Sequence, residues 1–372
     1  MSSSEAPIRT GRVAALRIPT DQPNESDGTA VWDSTGVVIV ELTAGEVTGL
    51  GFSYANTAAA HLAKELIEKV VLKGDPFDIP ALHSALDMQT RNWGRPGLVS
   101  SAISAIDTCL WDLKARLLDR PLLTILGGMR DEIPAYGSGG FTSYTEKQLI
   151  DQLTGWASDG LRSVKMKIGR EPDQDVPRVT AVQKALNGRA ELFVDANGAY
   201  TRKQALRKAQ QFADLNVTWF EEPVTSDDRV GLHLLVEHAP PVMNIAAGEY
   251  IYVLDDARLL LEAQAVDILQ ADVTRCGGVT NFLKIGNVCE TYHFPLSAHT
   301  SPSVHATLGC ALVPAINVEY FHDHARIEQM IFDGAAKAVN GNLKPDLSRP
   351  GLGLELKRAA AEKFQIFSAG VS

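Results

Sequence analysis

Residues 163–168 read SVKMKI, residues 192–197 read LFVDAN and residues 218–223 read TWFEEP, so each apolar run carries ionisable side chains near its end. An apolar run with an ionisable residue near its end recurs in four later segments, which are NIAAGEY at 244–250, VDILQAD at 266–272, FPLSAHT at 294–300 and NVEYF at 317–321. Helical stretches separate these runs, and such alternation is typical of repeated β/α units that build a parallel sheet. We therefore predict that each run is one strand of that sheet.

The ionisable residues of these segments recur at regular intervals. Counted from Lys167, successive members are 20 to 28 residues apart: Asp195, Glu221, Glu249, Asp272, His299 and Glu319. A β/α unit averages about 30 residues in a (β/α)8 barrel of roughly 250 residues, and barrel active sites lie at the carboxyl ends of the strands. A single such residue is usually only the first solvated side chain, but seven in phase predict a barrel mouth that collects them.

The N-terminal third of the chain has a different pattern. Two strand-like runs, 37–42 and 48–54, are separated by a short turn and predict a hairpin. Segments with helical spacing of apolar residues follow at 58–72, 80–90 and 99–118. The pattern changes after Gly127-Gly128, so we place a domain boundary near Asp131.

The predicted fold class is α/β. We expect a modified (β/α)8 TIM barrel at 132–350 and an α+β N-terminal capping domain at 1–131. The polar, turn-rich segment at 19–30, called the 19–30 loop below, is too long for a simple connection. It fits a mobile lid and an idle surface loop about equally well.

Composition excludes several classes of protein. The 372 residues carry a net charge of -10, and the lysines and arginines are scattered, which argues against nucleic-acid binding. No apolar stretch is long enough to span a membrane, and the first residues lack the apolar core of a secretory signal. We expect a cytoplasmic enzyme with a small-molecule carboxylate as its partner, no nucleic-acid or membrane partner, and a homo-oligomeric assembly. An anionic substrate would need a local cation to attract it.

Three of the seven residues favour a metal site. Asp195, Glu221 and Glu249 offer carboxylate oxygens from adjacent strands, which suits a hard octahedral cation and disfavours zinc. We expect one Mg²⁺ per subunit. Glu222 follows Glu221 directly, so it points to the other side of the strand and is expected to be structural.

The remaining residues favour proton transfer. Lys165 and Lys167 alternate with Met166 and share one face, where a metal and the like charge would depress the pKa of the base. His299 is a second acid or base across the mouth, and Asp272 one strand earlier could orient its ring. Glu319 could donate a hydrogen bond to a developing oxyanion if protonated, or position the substrate if ionised.

Other residues near the strand ends are polar and are candidates for substrate binding. Tyr136 and Ser138 are placed after the first strand, Arg275 after the sixth and Tyr320 after the eighth. The substrate-binding candidates are Asn197, Tyr136, Ser138, Arg275, Tyr320 and His322. Thr300 and Ser301 after the seventh strand are further polar residues of the mouth, and His324 in EYFHDH stays open. A polar mouth suits a hydroxylated substrate better than an aryl one.

These motifs resemble those of the enolase superfamily, mandelate racemase subgroup, over essentially the whole chain. The stretch SAISAIDTCLWDLKARLLDRPLLTILGG at 101–128 also resembles the family's capping domain. The resemblance implies that the C-terminal segment 351–372 returns to the cap. Residue by residue, it implies that Asp195, Glu221 and Glu249 are the Mg²⁺ ligands and that Lys167 is the base, with Lys165 as its partner. It also implies that His299 and Asp272 form the second acid/base dyad. Glu319 is implied to be the hydrogen-bonding acid.

Departures from the pattern narrow the choice within the superfamily. Muconate-cycloisomerase-like relatives carry a catalytic lysine on the sixth strand, where this chain has Asp272. Some sugar-acid dehydratases carry a catalytic histidine just after the third strand, where this chain has Asn197. Both subgroups are disfavoured. We expect a sugar-acid (aldonate or aldarate) dehydratase, with a racemase or epimerase of a 2-hydroxy acid as the alternative and a non-catalytic metal-binding homologue as a third reading.

Overall fold

The computed structural model describes residues 6–372 and confirms the predicted fold class. An antiparallel sheet with packed helices forms the N-terminal part of the chain. Its strands are β1 Ile8–Pro19, β2 Glu25–Ser26, β3 Val31–Trp32, β4 Ser34–Ala44 and β5 Val47–Tyr54. Its helices are α1 Thr57–Leu66, with a π-helical turn at Ile67–Val71, α2 Ile79–Gln89, α3 Leu98–Leu117 and α4 Leu122–Leu126.

Within residues 6–372, eight parallel strands close into a barrel, because the last strand pairs with the first. They are β6 Ile133–Gly139, β7 Ser163–Lys167, β8 Glu191–Asp195, β9 Val217–Glu221, β10 Asn244–Ala247, β11 Ile268–Ala271, β12 Leu296–Ala298 and β13 Ala315–Phe321. The seven predicted strands are β7 to β13. The outer helices are α5 Glu146–Ser158, α6 Pro172–Leu186, α7 Arg202–Ala213, α8 Arg229–His238, α9 Leu254–Glu262, α10 Gly278–Tyr292, α11 Pro302–Ala311 and α12 His322–Ile331.

The C-terminal segment pairs with the first strand of the cap. After short elements at β14 Phe332–Asp333, β15 Asn342–Leu343, β16 Glu355–Leu356, α13 Arg358–Ala361 and a 3-10 turn at Glu362–Phe364, the chain enters β17 Gln365–Val371. Strand β17 runs antiparallel to β1, so the order of the cap sheet is β17-β1-β4-β5. Strand β1 therefore lies inside the sheet, between the strand that ends the chain and the predicted hairpin.

Local sequence explains where several elements begin. Thr145 and Gln148 form a capping box at the start of α5, and Thr201 and Gln204 form another at the start of α7. Helix α3 is buried along most of its length, since it packs against β5 of the cap and α10 of the barrel.

Among the described residues, no helix combines the length and apolar character needed to cross a membrane.

The interior of the barrel is filled below its mouth by a small aromatic and aliphatic layer. Phe193 and Trp219 stack with ring centroids 4.9 Å apart, and Tyr136 lies beside both rings. Ala246 and Ile268 complete this layer. It forms a closed floor, so the ionisable side chains above it face the cap.

Candidate active site

The two lysines of β7 point into the barrel. Met166 between them packs in the hydrophobic core, as the alternation of side chains along a strand requires. Lys167 lies opposite Asp195 in the sheet register, and Asp195 lies opposite Glu221. Three neighbouring strands therefore end at the same level, each with an ionisable side chain.

Asp195, Glu221 and Glu249 form one compact cluster, in which one oxygen of each carboxylate lies within 4.8 Å of the others. Glu221 Oε1 is buried and receives no hydrogen bond from any residue in the described range 6–372. Burial, and then the charge of Asp195, raise the pKa of Glu221 to about 8. Crowded carboxylates with a free oxygen are a suitable donor set for a hard divalent cation, so these residues fit Mg²⁺.

Lys165 is completely buried between acids. Its Nζ lies 2.6 Å from Glu221 Oε2, 2.8 Å from Glu319 Oε1 and 3.7 Å from Asp195 Oδ2. Burial alone would lower the pKa of Lys165, but Glu221 and Glu319 attract the charge and hold the pKa well above its usual range. Lys165 is therefore a fixed positive charge that joins the carboxylate cluster to Glu319.

Lys167 lies at the surface of the site and pairs with Asp195 Oδ2 at 2.5 Å. Burial and the like charge of Lys165 both lower its pKa, but the attraction of Asp195 outweighs them and the net shift is upward. The depressed pKa expected for the base depends on a bound metal as well as on the like charge, so it stays a prediction for the metal-loaded protein. A cation bound to Asp195 would oppose that attraction.

His299 lies on the other side of the carboxylate cluster. Its Nε2 is 3.0 Å from Glu249 Oε2, and its Nδ1 is 2.9 Å from Asp272 Oδ2. Burial would lower the pKa of His299, but Glu249 and Glu319 attract the charge and raise the pKa to about 10. The imidazole is therefore protonated at neutral pH in this arrangement, and Asp272 accepts a hydrogen bond from its Nδ1.

Asp272 is itself held from the other side. Its Oδ1 accepts hydrogen bonds from the backbone N of Thr274 at 2.7 Å and from Thr274 Oγ1 at 2.8 Å. His305, on α11, accepts a hydrogen bond at Nε2 from Val273 N at 3.1 Å and lies 2.7 Å from the carbonyl of Thr300 through Nδ1. Burial lowers the pKa of His305 to about 4, so it is a neutral support for the loops after β11 and β12.

Glu319 accepts hydrogen bonds on both oxygens. Ser138 Oγ donates to its Oε1 at 2.5 Å, and the backbone N of Thr300 donates to its Oε2 at 3.2 Å. Burial would raise the pKa of Glu319, but Lys165 and then His299 lower it to about 2. Of the two roles left open for Glu319, this arrangement favours the ionised form that positions other groups.

A cavity of about 320 Å³ opens between these side chains and the cap. The predicted residues that line it are Lys167, Asn197, Glu249, Arg275, His299 and Glu319. A larger cavity of about 610 Å³ adjoins it at Asn197 and is lined by Glu222 and Thr225 among others. Glu222 thus faces away from the proton carriers, and burial raises its pKa well above the usual range.

Four predicted substrate-binding residues lie outside the smaller cavity. Tyr136 lies in the interior layer, with its Oη 3.5 Å from Lys165 Nζ, and Ser138 is buried against Glu319. Both lie within β6 rather than after it. Tyr320 lies within β13 on the outward side and accepts a hydrogen bond from Gln329 at 2.8 Å. His322 faces the 19–30 loop, with its Nε2 2.9 Å from Asp21 Oδ2.

The cavity also includes residues outside the set of predicted substrate-binding residues. Tyr54 and Trp32 come from the cap, and Asp27 comes from the 19–30 loop. His324 stacks on Tyr54 with ring centroids 3.3 Å apart, and burial lowers its pKa to about 3. His324 could be found from its place just after the last barrel strand, and Asp27 from its place in the turn-rich 19–30 loop, whereas Tyr54 and Trp32 reach the site through tertiary packing alone.

The 19–30 loop is docked on the barrel. Ser26 Oγ lies 2.7 Å from Thr142 Oγ1, and Thr29 Oγ1 donates to the carbonyl of Asn197 at 3.3 Å. Gly28 passes so close that a Cβ there would overlap the backbone carbonyl oxygens of Ala196 and Ile168. The loop therefore covers one side of the cavity and is in contact with the strand ends that form it.

Both parts of the chain match known families. Residues 148–360 match the enolase C-terminal domain-like family, and residues 13–127 match the N-terminal domain of mandelate racemase / muconate lactonizing enzyme. An arabinonate dehydratase from Saccharolobus solfataricus is 28% identical over 94% of this chain and 93% of its own length.

Two solved structures are similar over nearly the whole chain. A mandelate racemase/muconate lactonizing enzyme-like protein from Rubrobacter xylanophilus has a TM-score of 0.94 and 47% identity, covering 96% of this chain and 99% of its own. The L-talarate/galactarate dehydratase from Salmonella typhimurium, solved with Mg and L-lyxarohydroxamate, has a TM-score of 0.91 and 27% identity, covering 99% of this chain and 95% of its own.

Proposed function

The chain belongs to the mandelate racemase / muconate lactonizing enzyme family, and on that premise we propose that it is a Mg²⁺-dependent sugar-acid dehydratase. The proposed reaction begins with removal of the proton beside a substrate carboxylate, which gives an enediolate. Loss of the β-hydroxyl as water follows, and the resulting enol becomes a 2-keto-3-deoxy acid. Atoms balance, since the substrate loses one proton and one hydroxide overall.

One observation carries the proposal. Lys167 and His299 line the same cavity, and each contacts a different member of the carboxylate cluster, Lys167 at Asp195 and His299 at Glu249. Two proton carriers thus flank one prospective metal site. A protein that only bound a metal or a ligand would have no need of this pair.

The side chains divide the chemistry between them. Asp195, Glu221 and Glu249 would hold Mg²⁺, which when bound supplies positive charge that stabilises an enediolate. Lys167 takes the α-proton, because its Nζ reaches the cavity while Lys165 is sealed below it. His299 gives a proton to the departing hydroxyl, and Asp272 fixes the ring so that Nε2 carries that proton. Arg275 lines the cavity and is a cation for the substrate carboxylate.

The polar cavity and the relatives support a hydroxylated acid as the substrate. Asp27, Asn197 and Arg275 offer hydrogen-bond partners, and a site built for hydroxyls rejects analogues that lack them by leaving its polar groups unpaired. Arabinonate and L-talarate/galactarate dehydratases are among the relatives. The same pair of proton carriers could instead return a proton to the opposite face, which is the racemase alternative.

The test offers matched acids with and without a β-hydroxyl to the Mg²⁺-loaded protein. Keto-acid formation is followed with semicarbazide, inversion by polarimetry and α-proton exchange in deuterated solvent by NMR. We expect a keto acid from at least one aldonate or aldarate, and no turnover by Lys167→Ala. Efficient inversion of acids without a β-hydroxyl, with no keto acid from any sugar acid, would replace the dehydratase by the racemase. Absence of any exchange would leave the non-catalytic homologue.

A further inference from the structure

A second group of potential ligands lies where the 19–30 loop meets the last barrel strand. Asp21 and Glu25 come from the loop, and His322 and Asp323 are the first residues of α12, directly after β13. One nitrogen or oxygen atom from each of the four lies within 4.8 Å of the others. The group is separate from the carboxylate cluster of the active site, although Asp323 also lines the smaller cavity, and the proposed dehydration assigns it no role.

Glu25 is the unusual member of this group. It is 0% exposed, and no N–H group or hydroxyl of any described residue donates to its carboxylate oxygens, which face the carboxyl groups of Asp21 and Asp323. Asp323 Oδ1 is likewise buried without a donor in the described part, although Asp323 Oδ2 accepts a hydrogen bond from Trp32 Nε1 at 3.2 Å. A buried carboxylate without a partner is costly, so something must neutralise or coordinate these oxygens.

The protein's own cations do not complete this neutralisation. His322 Nε2 lies 2.9 Å from Asp21 Oδ2, so this imidazole pairs with Asp21 and leaves Glu25 without a cation of its own among the described residues. Arg326 Nη2 is 3.9 Å from Asp323 Oδ1 and donates instead to the carbonyl of Pro19 at 2.7 Å. Tyr144 also faces the group, and its burial, followed by the charges of the three carboxylates, raises its pKa. Three acids therefore share one distant guanidinium and one imidazole that pairs with Asp21.

We propose that Asp21, Glu25, His322 and Asp323 form a second divalent-cation site that fastens the 19–30 loop to the barrel. Three carboxylates and one imidazole differ from the all-carboxylate active-site cluster, since imidazole suits transition metals while carboxylate suits Mg²⁺ and Mn²⁺. The site is thus expected to take Mn²⁺ or Zn²⁺ in preference to Mg²⁺.

Such an ion would act on the active site through the loop. Asp27, which lines the catalytic cavity, and Thr29, which contacts Asn197, follow Glu25 by two and four residues. A cation that bridges both sides of the junction binds the docked loop better than the open one, so it shifts the population towards the docked state. The ion would regulate closure without taking part in the reaction.

The experiment counts bound Mn²⁺ on metal-stripped protein by the EPR signal of free Mn²⁺. We expect two ions per chain for the wild type and one for Asp21→Asn and for His322→Ala. Glu249→Gln is the matched control, since it removes a ligand of the active-site cluster and should leave only the second site. Combining Glu249→Gln with His322→Ala should leave no bound ion. Circular dichroism verifies that each variant is folded.

A second measurement tests the effect on the loop. Mn²⁺ should slow hydrogen exchange of the 19–30 loop in Glu249→Gln and should have no effect on it once His322→Ala is added. A single ion in the wild type, or two ions in both Asp21→Asn and His322→Ala, would overturn the site. Equal loop exchange with and without Mn²⁺ would overturn its fastening role. With one ion only, a protonated-carboxyl infrared band lost in Glu25→Gln would identify a shared proton as the occupant instead.

Discussion

Gly28 gives the sharpest test of whether the docked 19–30 loop belongs to the working site. A Cβ at this position would lie 2.7 Å from the carbonyl oxygen of Ile168 and would overlap that of Ala196. Both neighbours are backbone atoms of the barrel, so the loop must give way. Restoring a separation of roughly 3.5 Å requires a displacement of roughly 1 Å. The displacement falls between two of the hydrogen bonds that dock the loop, those of Ser26 Oγ and Thr29 Oγ1.

The expected magnitude follows from those two bonds. Each contributes about 1 kcal/mol, so Gly28→Ala should weaken docking by about 2 kcal/mol. That change is roughly a 30-fold shift towards the open loop. Hydrogen exchange of residues 19–33 should accelerate accordingly, and the apparent KM for the acid substrate should rise, since the cavity loses one wall.

A matched control separates this effect from the general cost of replacing a glycine. Gly370 lies in β17, and a Cβ there would meet nothing within 4 Å. Gly370→Ala should leave both loop exchange and KM unchanged. If Gly28→Ala exchanged at the wild-type rate within twofold while remaining folded, the loop would not be docked as described. Faster exchange with unchanged KM would show that docking does not shape the substrate site.

Three further predictions concern charge. Asp272→Asn should reduce kcat by about 10- to 100-fold, a smaller loss than removal of the His299 imidazole would cause. It should also move the alkaline fall of the rate to lower pH, because the pKa of His299 drops when its anionic partner is removed. An unchanged pH–rate profile would contradict the dyad. Burial raises the pKa of Glu328 to about 7, so the folded state binds a proton that the unfolded state has already lost. The free energy of unfolding should therefore fall by about 3 kcal/mol as the pH rises from about 4.5 to 7. Glu328→Gln should remove this pH dependence in urea titrations. Chelation should abolish turnover, Mg²⁺ should restore it better than Zn²⁺ and raise Tm, and calorimetry should find sugar-acid binding only with Mg²⁺ present.

The barrel and its mouth could be predicted because their signal is local and periodic. Each strand places its ionisable residue at the same end, so the interval between Lys167, Asp195 and Glu221 reports the repeat itself. The proximity of His299 to Asp272, 2.9 Å apart, was inferred from adjacent strands alone. Strand β1 was missed because its partners lie far away in sequence, and pairing Gly11 with Val371 leaves no local pattern.

The positions of the predicted substrate-binding residues depend on strand ends and on tertiary packing, which the sequence pattern does not define. Glu319 faces inward, so Tyr320 beside it must face outward, because side chains alternate along a strand. The same alternation that places Glu222 opposite Glu221 therefore excludes Tyr320 from the substrate-binding residues. Tyr136 has the inward parity but lies too deep, since depth in the barrel depends on where β6 ends. His322 contacts the 19–30 loop rather than the cavity, and no sequence interval relates position 322 to position 21.

The charge balance of the mouth explains how an acidic protein can take an anionic substrate. The carboxylates and cations that contact one another there are Asp195, Glu221, Glu249, Asp272 and Glu319 against Lys165, Lys167, Arg275 and protonated His299. With every carboxylate ionised, as in the metal-bound site, the side chains sum to one negative charge, and a bound Mg²⁺ would make the total one positive charge. Lys165 cannot supply the attraction, because Glu221 and Glu319 already surround it. The local cation that the net charge of -10 demands is thus the metal together with Arg275, and a carboxylate should enter only after the metal.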